Sequence, residues 1–143
     1  MRSNGKKTVG YTENGNYRCL EDHQHVNAMS IASPLNLDYC GMERCEPGHR
    51  FGPYVRENYV VHIVLNGHGI LQIGEQGYHL SREEAFIIYP GCEAVYQADG
   101  EEPWEYMWIG FHGYAAKKTV RFMGFTDECP VIRVQNIDLL QKE

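Results

Sequence analysis

The chain lacks most of the features that make chemistry readable from sequence. Its five cysteines (Cys19, Cys40, Cys45, Cys92, Cys129) include no Cys-x-x-Cys pair, so neither a local zinc site nor a complete disulfide framework is suggested. Reduced thiols in an intracellular protein fit that usage. A nucleophile elbow, a Gly-rich phosphate loop, an HExxH pair and an EF-hand loop are all absent. Basic charge is short as well: 13 Lys and Arg stand against 19 Asp and Glu, leaving a net charge of −6. With no basic patch, this piece has nothing with which to grip a phosphate backbone by itself. No apolar run approaches the roughly 20 residues of a membrane span, and the start, MRSNGKKTVGYTENGNYRCL, carries no apolar signal core. The expectation is a soluble, cytoplasmic protein.

What is present is material for a core and for tight turns. The 143 residues are 43% hydrophobic and 12% aromatic, enough for one domain with its own interior. From 58 to 113 the chain reads as short strands (58–65, 70–73, 78–80, 85–89, 93–97 and 104–111) cut by Asn66-Gly67, by Gly74 to Gly77 and by Pro90-Gly91. Asn66-Gly67 tolerates positive φ and suits a hairpin. Strands so regularly spaced, with no helical periodicity between them, predict an all-β antiparallel sandwich or barrel.

The flanks differ in character. Residues 1–28 are polar, with Gly5, Gly10 and Gly15, and read as a flexible N-terminal arm or as an arm that folds over a ligand pocket. His23 and His25 there are either solvated or a metal-ligand pair. The barrel is expected over 29–135, entered by a strand at 35–39, with 45–53 a loop holding His49 and Arg50. Ala115, Thr119, Phe122 and Met123 sit at near-helical spacing, which predicts a short amphipathic helix over 114–123. A last strand is expected at 131–134. Residues 136–143 resemble a helix start with Asn136 as N-cap, too short to stand alone, so a piece cut from a longer helix is expected.

Two sets of residues invite chemistry. His62 lies in an apolar strand, where it is either a hydrogen-bonded core histidine or a metal ligand or general base. In WEYMWIGF, period two places Trp104, Tyr106 and Trp108 on one face and Glu105, Met107, Ile109 and Phe111 on the other. The first face carries rings with polar handles. Such rings either pack the sheet or line a carbohydrate pocket, since a sugar's C–H face stacks on indole while its hydroxyls bond to Tyr and Arg.

The segments YVVHIVLNGHGILQIGEQGYHL, EEAFIIYPGCEAVYQAD and EEPWEYMWIGFHG together resemble the N-terminal cupin-type ligand-binding domain of AraC-family transcription regulators, in particular the sugar-utilisation branch. The resemblance covers about 55 contiguous residues in order. It implies a jelly-roll barrel, an arm able to close over bound sugar, and a dimerising helical hairpin ahead of a DNA-binding part that this chain does not contain. A homodimer that meets DNA only through that missing part follows. The resemblance also implies pocket roles for Tyr96, Trp108 and Arg44, with Tyr106 where the arabinose-responsive branch has a histidine. That exchange points away from arabinose, toward a larger or differently oriented sugar such as an α-galactoside.

Metal-dependent cupins pair His-x-His with further ligands. Here the first strand offers His62 alone, and Ala94 occupies a later ligand position. No metal, cofactor or catalytic residue is therefore expected. A small cupin enzyme is kept as the alternative to a sensor.

Overall fold

The computed structural model describes residues 34–140 together with Val9–Glu13 and Tyr17–Asp22. Among the described residues, strands β1 (Val9–Glu13), β2 (Tyr17–Asp22), β3 (Asn36–Arg44), β4 (Arg50–Val55), β5 (Tyr59–Asn66), β6 (His68–Ile73), β7 (Gln76–Ser81), β8 (Glu84–Ile88), β9 (Glu93–Ala98), β10 (Glu105–His112) and β11 (Val131–Arg133) are joined by one α-helix, α1 (Ala116–Met123). They form two antiparallel sheets, ordered β1-β2-β3-β10-β5-β8-β11 and β4-β9-β6-β7. The fold is mainly β, as the turn spacing predicts.

Strand β5 stays in the large sheet, whereas β6 begins the small one. Asn66-Gly67 is accordingly a corner between sheets, not the expected hairpin. Positive φ serves a corner as well as a turn: Gly67 has φ 72, and a Cβ there would collide with the Pro103 carbonyl. The real hairpin lies at Gly74, where Ile73 pairs with Gln76. A second difference is β4. Part of the expected loop at 45–53 is an edge strand, and it accommodates Gly52-Pro53 through a register shift between Phe51 and Tyr54.

Val60, Val64, Phe86 and Ile88 point between the sheets, where they meet Leu71, Leu80, Trp104 and Tyr106. Their alternates Val61, Ala85, Ile87 and Phe111 point outward and are covered by Ala116 and Val120 of α1 and by Phe125. Burial on both faces explains why β5 and β8 read as continuous apolar runs. Helix α1 ends at Gly124 (φ 108), whose N–H reaches the Arg121 carbonyl. The helix presents Ala116 and Val120 inward, while Phe122 is 93% exposed, so its apolar face is turned by one position from the predicted one.

Two stretches of the expected arm are strands of the large sheet: β2 pairs with the edge of β3, in the register Tyr17 to Glu43 and Glu21 to Tyr39, and β1 pairs with β2. The remainder of 1–28, with His23 and His25, lies outside the described residues. The expected helix start at 136 is a single 3-10 turn, Ile137–Leu140, preceded by Asn136 at φ 57 rather than in the extended conformation of an N-cap. Among the described residues no helix is long and apolar enough to cross a membrane.

Candidate functional site

The pairing of β10 with β3 and β5 decides what reaches the space between the sheets. Trp108 lies opposite Gly41 and His62, so a large ring faces a position without a side chain on one neighbour and an imidazole on the other. From the small sheet, β9 brings Tyr96 and β4 brings Phe51, stacked on each other with centroids 5.3 Å apart. These rings, with Tyr39, Glu43, Arg56, Val60 and Tyr106, line a cavity of about 110 Å³. Its floor is buried, and Tyr39, Glu43, Phe51 and Arg56 form a half-buried rim.

His62 is the hub of the rings. It stacks on Phe86 at 4.4 Å and meets Tyr96 at 4.9 Å and Tyr106 at 5.1 Å. It is 2% exposed, and its Nδ1 has no hydrogen-bond partner among the described residues. Burial, aided by the Arg56 charge, depresses its pKa to about 3, so the ring is neutral at physiological pH. The expected hydrogen-bonded core histidine is thus a buried one whose Nδ1 is left unsatisfied.

Charge enters from two sides. Arg56 donates from Nη1 to the Tyr39 hydroxyl at 3.2 Å, and Tyr39 donates to Asn58 Oδ1 at 3.1 Å. Asn58 then donates to Asp38 Oδ2 at 3.2 Å, and Asp38 Oδ1 lies 2.7 Å from His112 Nδ1. Burial opposes the charge on Arg56, but Tyr39 and Tyr96 outweigh it and its pKa is raised. Glu43 accepts from the Tyr106 hydroxyl at 3.4 Å, and burial raises its pKa against the pull of His49 and that bond. Burial pushes Tyr96 up to about 12, with Arg56 pulling the other way, and pushes Tyr106 higher still. Both phenols stay protonated and able to donate.

Three of the four residues predicted for the site, Tyr96, Tyr106 and Trp108, come together at this cavity. Arg44 does not. Strand alternation sends Glu43 inward and Arg44 outward, where its side chain is 70% exposed and pairs with Glu105 Oε2 at 3.4 Å. The guanidinium at the rim belongs to Arg56, and Arg56, Glu43, Tyr39 and Phe51 were not singled out by the sequence. Glu43 could have been found by applying to β3 the same alternation used for β10. Ala94 is a buried core residue, and among the described residues no group of three or more His, Cys, Asp or Glu could hold a metal ion.

Known proteins bear on this arrangement. The chain is 39% identical over 87 residues to the Msm operon regulatory protein of Streptococcus mutans, covering 61% of this chain and 31% of that one. It is 29% identical over 126 residues to the raffinose operon transcriptional regulatory protein RafR of Pediococcus pentosaceus, covering 86% and 43%. The chain therefore spans less than half the length of either relative. Its fold matches that of a cupin 2 conserved barrel domain protein from Salinispora arenicola with a TM-score of 0.51 at 12% identity, covering 79% of this chain and 90% of that one. The family described as the AraC-like ligand binding domain matches residues 36–142. With two antiparallel sheets, a cupin-like barrel and a ring-lined cavity inside that span, the chain belongs to the AraC-like ligand-binding domain family.

Proposed function

We propose that this domain senses a sugar, seated in the inter-sheet cavity against Tyr96, Tyr106 and Trp108, with Arg56 and Glu43 bonding its hydroxyls. The observation that carries the reading is the composition of one small cavity: an obligate donor, Arg56, an acceptor, Glu43, and a wall of rings. A sugar combines a C–H face for the rings with hydroxyls that both give and accept hydrogen bonds. The names of the relatives, one of them a raffinose operon regulator, support a saccharide effector.

Cavity size adds a constraint. At about 110 Å³ it is smaller than the roughly 150 Å³ cavity that takes benzene. A pyranose therefore enters only when the half-buried rim of Tyr39, Phe51 and Arg56 moves, and an oligosaccharide such as an α-galactoside inserts one terminal unit. A rim with two positions is an equilibrium that a ligand can bias through differential affinity. In the proposed full-length regulator, a cytoplasmic homodimer, that bias passes to a DNA-binding part outside this chain.

Thermal unfolding across a panel of mono- and oligosaccharides tests this. A ligand at about 100 times its Kd stabilises by about 2.7 kcal/mol. For a chain of this size that is a rise of roughly 5–10 °C. Trp108→Ala should remove the rise. A flat response to every sugar, or a rise that survives Trp108→Ala, rejects the reading.

A further inference from the structure

The large sheet has a second cavity on its outer side, beneath α1. Its volume is about 240 Å³, more than twice that of the inter-sheet cavity, and it is lined by Tyr59, Tyr89, Pro90, Lys117, Val120, Arg121, Phe125, Thr126 and Asp127. Buried Val120 and Phe125 give it an apolar floor. Tyr59, stacked on Phe111 at 5.7 Å, meets Tyr89 edge-on at 5.9 Å to form an aromatic wall.

The rim is where the cavity departs from ordinary packing. Lys117 and Arg121 stand four residues apart on α1, a spacing that sets like charges side by side and costs about 0.2–0.5 kcal/mol. Among the described residues neither makes an ion pair, and Asp127 on the same rim closes with neither of them. The Tyr59 and Tyr89 hydroxyls likewise have no hydrogen-bond partner among the described residues. Two cations against one carboxylate leave the rim net positive, above an apolar floor with room for more than the benzene that a roughly 150 Å³ cavity takes.

We infer that this cavity is a second ligand site, for a small organic monoanion with a flat or apolar body, separate from the inter-sheet cavity. The anionic head sits between Lys117 and Arg121 and relieves their repulsion. The body lies on Val120 and Phe125 against the tyrosine rings, and the phenols donate to the head group. Such a ligand bridges α1 and β5, so its binding stiffens the helix against the sheet.

The probe is 4-fluorobenzoate, followed by fluorine NMR line broadening on this chain, with 4-fluorobenzamide as the uncharged partner of the same shape. Saturable binding of the benzoate in the millimolar range or tighter is expected, with the amide at least about tenfold weaker. Lys117→Gln combined with Arg121→Gln should weaken the benzoate at least about tenfold while thermal unfolding is unchanged, because both side chains are exposed. Asp127→Asn should tighten it a few-fold, and Trp108→Ala should leave it unchanged. Equal binding of both probes, no saturable binding, or full retention by the double variant overturns the inference. Loss of benzoate binding in Trp108→Ala places the probe in the inter-sheet cavity and overturns it too. None of these results depends on whether a sugar binds there.

Discussion

Strands β5 and β8, with the Phe111 end of β10, bury both faces, and the two faces teach different lessons. Toward α1 they present Val61, Ala85, Ile87 and Phe111, side chains with no polar atom to satisfy. Toward the small sheet, one position away along the same strands, they present His62, Tyr106 and Trp108, with Tyr96 facing them. Burial is equal, but the inner face holds a neutral imidazole with an unsatisfied nitrogen, protonated phenols, and a cation and a carboxyl at the rim. On the proposed reading, polar groups set among rigid rings are what turn such a cavity into a recognition site.

Substitutions on the two faces can break that contrast. The largest effect is expected for Phe125→Ala, which should cost about 3–5 kcal/mol in urea unfolding yet leave any sugar response intact. Trp108→Ala should do the reverse, losing the response at a smaller stability cost. If both variants lose the response in proportion to stability, the faces are not functionally distinct.

His62 supplies the next effect. Its pKa is about 3 in the fold against about 6.5 unfolded, so between those values the unfolded chain binds the extra proton. Stability should therefore fall as pH drops from about 6.5 toward 3, by up to roughly 1.4 kcal/mol per pH unit. Urea unfolding of His62→Gln should lack that slope, and an unchanged slope would mean that other groups set it.

Smaller again is Glu43→Gln. Removal of the charged acceptor should weaken sugar binding by about 1.5–3 kcal/mol, or some ten- to a hundredfold, with little change in melting. Least of all is Arg44→Ala, which breaks one exposed ion pair with Glu105 and should shift stability by less than about 1 kcal/mol and affinity not at all. A clear affinity loss there would return Arg44 to the site and displace Arg56.

The strands were legible because turn residues and alternation are local. Trp104, Tyr106 and Trp108 were assigned to one face for the same reason, and all three are buried between the sheets. Pairing between distant strands is not local. Nothing near Asn66 distinguishes a corner from a hairpin, because Gly67 supplies the same backbone freedom to either. Arg56 was invisible since it sits between β4 and β5 and reaches the cavity only through the meeting of two sheets. Arg44 against Glu43 is the one-residue parity slip that a strand punishes most, because it reverses the face.

A guanidinium has hydrogens to give and no lone pair to receive one. The bond from Arg56 thus orders the hydrogen bonds behind it: Tyr39 commits its O–H to Asn58, Asn58 turns its nitrogen to Asp38, and Asp38 accepts a further hydrogen bond from His112 Nδ1. Tyr39 can show an incoming molecule only a lone pair. If Arg56 swings away, the phenol oxygen loses its donor, and the disturbance runs along the chain to His112 at the end of β10, just before the turn into α1. The barrel mouth and the foot of the helix are tied by a polarised thread with a fixed direction.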